Sequence, residues 1–322
     1  MTHSFTASFY YFLKILEPEY LQAELTNFCV GHRLIGTIVI AHEGLNGSVE
    51  GSLDAVNNLL IFIKKHLCIE RMTTNIVKSE VPSFKRLKVK IRKEIVSIGL
   101  KDIDPSMHSG EHVSHDQWNQ LLLDPEVVVI DTRNDYEIDI GTFQSATRPK
   151  TQNFREFPKK VEDLLGGNLE IPVAMFCTGG IRCEKASSLL VEKGYKKVFQ
   201  LDGGILSYLK TVKPEQSLWQ GDCFVFDDRV AVNERLEPAN YEKCHGCRKP
   251  LSALDRQSPL FEYGIACHHC SDTLDTERRA SLQERHKQME LAKNGKVISE
   301  AFIKSLAHRR LTILIFNHMD KQ

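Results

Sequence analysis

The sequence lacks any run of about 18 apolar residues, so no helix is expected to cross a membrane. Residues Met1 to Ala7 lack the basic-then-apolar order of a secretory leader, and a cytoplasmic location is expected. An excess of charge is also missing, since Lys plus Arg and Asp plus Glu stand at 42 each. Global charge therefore points to no class of partner, and only local clusters can do so. The chain has no internal repeat and no low-complexity segment. It carries no flavin or nicotinamide glycine motif, no haem signal and no two-histidine-one-carboxylate spacing. An even set of cysteines is lacking too. There are nine, and a reducing cytosol argues against a disulfide framework.

What is present suffices for packed cores. The 322 residues, 42% of them apolar, suggest two or three domains. The chain is organised around Cys177-Thr178-Gly179-Gly180-Ile181-Arg182-Cys183. An apolar run, Ile171 to Phe176, leads into Cys177, and a helix-like segment, Glu184 to Lys193, follows Arg182. The pattern predicts a buried strand, a tight loop and a helix N-terminus. Loop N–H groups, the helix dipole and Arg182 all favour a thiolate, and such surroundings lower a cysteine pKa from about 8.5 to roughly 3.5–7.5. The competing account of this stretch is a buried structural cysteine before an ordinary glycine turn.

Residues 1–100 predict a ferredoxin-like α/β sandwich in the order βαββαβ. Its elements are an aromatic strand Phe5–Leu13, a helix Pro18–Cys29 and a strand Leu34–Ala41. A short partner strand Gly47–Glu50, a Ser52-capped helix to His66 and a strand Ile69–Val77 complete it. The turn His42 to Asn46 joins two of the strands. His42 and Glu43 form an acid–base pair if that turn faces the catalytic loop, and are otherwise a turn residue and a solvated charge. Six cations then fall within nine residues, at Lys85, Arg86, Lys88, Lys90, Arg92 and Lys93. Leu87, Val89 and Ile91 alternate with them, so a strand here has a core face and a cationic face. The cationic face suits nucleic-acid phosphates, and equally suits an edge strand whose lysines block aggregation.

Lys101 to His112 has the composition of a linker. Over residues 112–213, strands alternate with helices, which predicts a parallel sheet covered on both faces. Ser114 caps a helix through Leu123, Val127–Ile130 is a short strand ending at Asp131 and Arg133, and Lys197–Leu201 precedes the Gly203-Gly204 turn. Ligands bind at the carboxyl ends of such strands, where Cys177, Asp131 and Arg133 all fall. Arg133 either faces substrate or pairs with Asp131 or Glu137. Arg148 and Arg155 are phosphate contacts or plain surface charges. Cys183 either resolves an oxidised or persulfidated Cys177 or fills the core.

In residues 214–322, Cys244-His-Gly-Cys247 and Cys267-His-His-Cys270 have 19 residues between them, within the spacing of tetrahedral zinc sites. Four cysteine ligands leave no open position for water, so a zinc here is structural. Leu274 to Ala307 is helix-like and charged, with Arg278, Arg279, Arg285 and Lys287 as RNA contacts or a solvated face. Leu311–Phe316 is an apolar run expected to be buried.

Asp131-x-Arg133, the Cys177–Arg182 loop and Leu201-Asp202-Gly203-Gly204 resemble a rhodanese domain. More narrowly, Asp131 to Glu137, Phe154-Arg-Glu-Phe-Pro158 and Cys177 to Ala186 resemble the rhodanese-containing tRNA uridine hydroxylases. The likeness extends over nearly the whole chain. It implies oxygen-dependent formation of 5-hydroxyuridine at the tRNA wobble position, with tRNA as partner and molecular oxygen as co-substrate. The active-site cysteine of that family, taken as a persulfide-type intermediate by analogy with rhodaneses, maps onto Cys177. No obligate protein partner is evident. Two other chemistries compete for the loop. A cysteine phosphatase wants five residues between cysteine and arginine, and here there are four, which suits a sulfur atom better than a phosphate. Rhodanese-type transfer from a small sulfur donor remains the alternative.

Overall fold

The computed structural model describes residues 4–79, 83–100 and 103–293. The chain forms two compact units, residues 1–241 and 242–322. The first unit holds two large sheets and two small two-stranded ones. The N-terminal sheet is built from β1 (Ser4–Phe12), β2 (Ile35–Ala41), β3 (Gly44–Gly51), β4 (Thr73–Ser79) and β5 (Leu87–Ile91), in the order β4-β1-β3-β2-β5. The first four strands are antiparallel, and β5 adds parallel to β2 at the edge. Helix α1 (Pro18–Gly31) buries Leu21, Leu25 and Cys29. Helix α2 (Leu53–Leu67) starts where Ser52 Oγ accepts from Ala55 N–H, and buries Val56, Leu59, Leu60 and Ile63. Both helices pack on the face that carries Ala7 and Phe9. This is the βαββαβ sandwich with one added strand.

Strand alternation sends Thr6 and Tyr10 to the opposite face, where both are buried. The hairpin between β2 and β3 is tighter than the five-residue turn expected. Only His42 and Glu43 lie outside the strands, and pairing already begins at Ala41 and Gly44.

The central domain has four parallel strands, β6 (Glu111–Val113), β7 (Val128–Asp131), β9 (Val173–Phe176) and β10 (Val198–Leu201), in the order β6-β10-β9-β7. Between β6 and β7 lies α3 (His115–Leu123), opened by a capping box of Ser114 and Gln117. A one-turn α4 (Asp135–Ile138) and β8 (Gly141–Phe143) follow β7, and α5 (Phe157–Leu165) precedes β9. Helices α6 (Ile181–Glu192) and α7 (Gly204–Thr211) follow β9 and β10. Every residue of β9 is buried, as a central parallel strand requires. One face packs on Phe157, Val161 and Leu189, and the other on Trp118, Phe143, Tyr208 and Trp219.

Two boundaries differ from the sequence reading. The linker expected before His112 is partly built into the core, because Ile103 is buried and Gly110 N–H donates to Ser187 Oγ at 2.8 Å. Residues 214–241, which the sequence places with the C-terminal module, belong to the first unit instead. There β11 (Trp219–Gly221) pairs with β8, and β12 (Cys223–Phe224) pairs with β13 (Ala231–Val232). Trp219, Cys223, Val225 and Val232 fill the core around Trp118 and Phe176. Burial of these side chains overrides a boundary at residue 214.

The second unit is small. Strands β14 (Glu242–Lys243) and β15 (Pro250–Leu251) pair, and Leu251 and Ala266 pack with four cysteines. Helix α8 (Thr276–Lys293) follows. The remainder of the helix expected to Ala307, and the Leu311–Phe316 run, lie outside the described residues. Among the described residues, no helix is long and apolar enough to cross a membrane.

Candidate functional site

Cys177 follows the last residue of β9, and α6 begins at Ile181, earlier than the helix start expected at Glu184. Residues Thr178, Gly179 and Gly180 bridge the two. The Gly180 N–H donates to Cys177 Sγ at 3.1 Å. The carbonyls of Cys177 and Thr178 are taken up by the start of α7. Ile205 N–H donates to Cys177 O at 3.0 Å, and Leu206 N–H to Thr178 O at 3.1 Å. Gly204 must be glycine for this contact, because a Cβ there would sit 2.5 Å from Cys177 O and its φ is +65°.

Burial pushes the Cys177 thiol up. The hydrogen bond from Cys183, the Arg182 charge and the N–H groups of Arg182 and Cys183 outweigh it and hold the pKa at about 6. Cys183 is driven the other way, first by burial and then by its contact with Cys177. Cys183 therefore stays a thiol and Cys177 becomes the thiolate. Thr132 Oγ1 lies 3.7 Å from Cys183 Sγ.

Arg182 does not reach outward as a free cation. Its guanidinium makes a forked pair with Glu137, at 2.6 and 2.8 Å, and both side chains are buried. Phe226 covers it, with the guanidinium carbon 5.6 Å from the ring centroid. Arg133 takes the ion-pair alternative and not the substrate-facing one. It is fully buried, donates to both oxygens of Asp131 at 2.9 and 2.7 Å, and fixes the end of β7 by donating to Gly141 O.

The N-terminal domain closes the site. Tyr10 OH donates to Glu184 Oε1 at 3.0 Å. The same hydroxyl packs on the loop, for a Cβ at Gly180 would meet it at 2.7 Å, and Gly180 has φ +96°. Burial and the Glu184 charge raise the Tyr10 phenol well above its usual value, so it remains a donor. Glu184 also accepts from Gln200 at 3.2 Å and faces His112 Nε2 at 3.4 Å. Contacts with Asp202 and Glu184 raise His112 to about 10. The next residue on α6, Lys185, is 1% exposed and pairs with Glu43 at 2.8 Å and Glu94 at 2.7 Å.

The β2–β3 turn thus faces the helix behind the catalytic loop. Glu43 acts there by ion pairing. His42 Nδ1 lies 2.9 Å from Ile15 O, within its own domain. Tyr10, Glu184, Lys185, His112 and Phe226 were not singled out from the sequence. The available signals were a tyrosine on the polar face of an apolar strand and two charged residues directly after Cys183.

The cationic segment forms β5, and every residue of that strand is half-buried. Leu87 and Val89 pack on the core. Lys88 and Lys90 are half-buried, while Lys85, Arg86, Arg92 and Lys93 are exposed. Arg155 is exposed, and Arg148 pairs with Asp139 at 2.7 Å. In the second unit, Arg279 pairs with Glu262, and Arg278, Arg285 and Lys287 are exposed.

The Sγ atoms of Cys244, Cys247, Cys267 and Cys270 all lie within 4.8 Å of one another. The Cys244–Cys270 and Cys247–Cys267 separations are both 3.8 Å, and Cys267–Cys270 is 3.9 Å. A tetrahedron with Zn–S bonds of about 2.3 Å has edges of roughly 3.8 Å. The four sulfurs fit such an ion.

Comparison with known families assigns the two domains of the first unit. Residues 5–95 match the UPF0176 acylphosphatase-like domain, and residues 114–211 match the rhodanese-like domain. The protein is therefore a rhodanese-family protein with an acylphosphatase-like domain in front. That pairing is the architecture of the rhodanese-containing tRNA uridine hydroxylase family, and the chain has it. A crystal structure of a protein from Anabaena is 16% identical and covers 34% of this chain and 91% of its own, with a TM-score of 0.29. A rhodanese-related protein from Thermoplasma volcanium is 19% identical and covers 32% and 95%, with a TM-score of 0.28. A rhodanese-like domain protein from Staphylococcus aureus is 23% identical and covers 30% and 90%, with a TM-score of 0.25.

Proposed function

We propose that this protein hydroxylates the wobble uridine of tRNA to 5-hydroxyuridine in the cytoplasm, with molecular oxygen as co-substrate, a two-electron reductant that takes the second oxygen atom to water, and Cys177 as the reactive thiolate or persulfide. The observation that carries the reading is Cys177 itself, a buried thiol held at about 6 in a loop of this two-domain architecture. Near neutral pH such a sulfur is mostly thiolate, which is the nucleophilic form. Arg182 balances Glu137 and tunes the thiolate by charge. Lys85, Arg86, Lys88, Lys90, Arg92 and Lys93 supply a cationic edge for RNA phosphates. The wobble base leaves its stack to reach the loop, as enzymes acting on a base require. Cys244, Cys247, Cys267 and Cys270 hold a structural zinc with no open position.

One observation favours a second reading, transfer of sulfur from a small donor. The loop from Cys177 to Arg182 is short, and its arginine fork is engaged by Glu137, so it suits a sulfur atom better than a phosphate. Nucleoside analysis of tRNA decides between them. In cells lacking the protein, 5-hydroxyuridine derivatives should vanish, and wild type but not Cys177→Ala should restore them. Unchanged modified uridines would leave small-molecule sulfur transfer as the function.

A further inference from the structure

Phe226 is unlike its neighbours. Phe224 and Val225 are buried, whereas Phe226 is 65% exposed. It is the only phenylalanine among the described residues with such exposure. A single exposed apolar side chain needs no explanation by itself, but this one is held in place at the site. Its ring lies over the Arg182 guanidinium, the charge that helps to lower Cys177. Phe224 meets it edge-on with centroids 5.1 Å apart, and Tyr136 meets Phe224 likewise at 5.3 Å. The loop beneath is tied on several sides. Thr178 Oγ1 donates to Phe224 O at 3.4 Å, Val225 N–H to Val230 O at 2.9 Å, and Asp228 N–H to Ser83 O at 2.9 Å. Arg229 pairs with Asp227 at 2.6 Å. A ring fixed in this way loses little freedom when something stacks on it.

From these observations we infer that Phe226 is the platform on which the unstacked base of the RNA substrate lies beside the Cys177 loop. The inference rests on the tRNA reading proposed above. Its occupant follows from local chemistry. Arg182 is engaged by Glu137 and Arg229 by Asp227, so neither nearby guanidinium is free for an anion such as a phosphate or thiosulfate. A small hydrophilic sulfur donor has no use for an aromatic face. A flat neutral ring does, because every base presents a π-face to an aromatic side chain.

The test uses the full chain carrying Phe226→Trp. The two native tryptophans, Trp118 and Trp219, are at most 8% exposed, so emission at position 226 reports on the platform. The probes are an anticodon stem-loop with uridine at the wobble position and the same RNA abasic there, with binding followed separately by anisotropy. Quenching by the uridine RNA and its loss with the abasic RNA is the expected result. In parallel, Phe226→Ala should lower kcat/KM for tRNA hydroxylation by roughly 5- to 100-fold, and Phe226→Tyr should retain most of it. Equal quenching by both RNAs, or a Phe226→Ala protein as active as wild type, overturns the inference while the hydroxylase reading stands. A wild-type protein that neither binds nor modifies tRNA removes both.

Discussion

Tyr10 and Glu184 lie 174 positions apart, yet the tyrosine hydroxyl donates to the glutamate carboxylate at 3.0 Å. The bond joins the first strand of the N-terminal domain to the first turn of the helix behind Cys177. The cysteine loop is therefore shaped by both domains of the first unit. Glu43 and Glu94, which grip Lys185 from the same side, repeat the arrangement one residue further on.

Tyr10→Phe keeps the ring and removes only the donor. A buried carboxylate oxygen then loses a partner, which costs about 1–3 kcal/mol. Denaturant unfolding should show that loss with an unchanged slope. Tyr10→Phe as stable as wild type would mean that the contact does not hold the domains together.

The thiolate of Cys177 should be visible in its rate of alkylation by iodoacetamide, followed at this residue by mass spectrometry. The rate should rise with a midpoint near pH 6, where the buried thiol titrates. Cys183→Ala deletes the leading stabilising hydrogen bond, so its midpoint should move up. The folded pKa lies below the ordinary thiol value of about 9, so this group stabilises the fold fully above about pH 9. That contribution is lost as pH falls toward and through 6. A wild-type midpoint near 9 would contradict the electrostatics described above.

Much of this was legible in the sequence, because local pattern carried it. Leu21 and Leu25 on α1 and Val56 to Ile63 on α2 each mark a buried face by spacing alone. Cys177 was legible because its loop is contiguous. The clamp was not, since Tyr10, Glu43, Glu94 and Glu184 become neighbours only when the two sheets pack. Residues 214–241 were misassigned for a similar reason. Strands of two or three residues, such as Trp219–Gly221 and Cys223–Phe224, have no readable period, and the partner of Trp219–Gly221, Gly141–Phe143, lies some 80 positions earlier.

Glu137 is a sharper test of the Cys177 electrostatics. Removing it as Glu137→Ala leaves Arg182 buried without its partner, a loss of about 3–5 kcal/mol. The freed positive charge should at the same time draw the Cys177 alkylation midpoint further down. Arg182→Ala should be similarly destabilising and should move the midpoint up. Opposite midpoint shifts with the same sign of stability change separate electrostatic tuning from general damage. Two shifts in one direction would mean that Arg182 does not act on the sulfur by charge.

The four-cysteine cluster makes the last prediction. Four thiols brought within 4.8 Å of one another with no metal would be an unusual use of buried sulfur, since each thiolate repels the next. A divalent ion of zinc's size removes that repulsion and cross-links two turns that lie 20 to 26 residues apart in sequence. The small core of Leu251 and Ala266 offers little else to hold this unit together. Purified protein should carry about one zinc per chain by plasma mass spectrometry. Cys267→Ser should lower that content and make residues 242–293 sensitive to protease, while the Cys177 alkylation midpoint stays near 6. Metal-free protein whose C-terminal unit resists protease as well as the zinc form would show that the thiols pack without an ion.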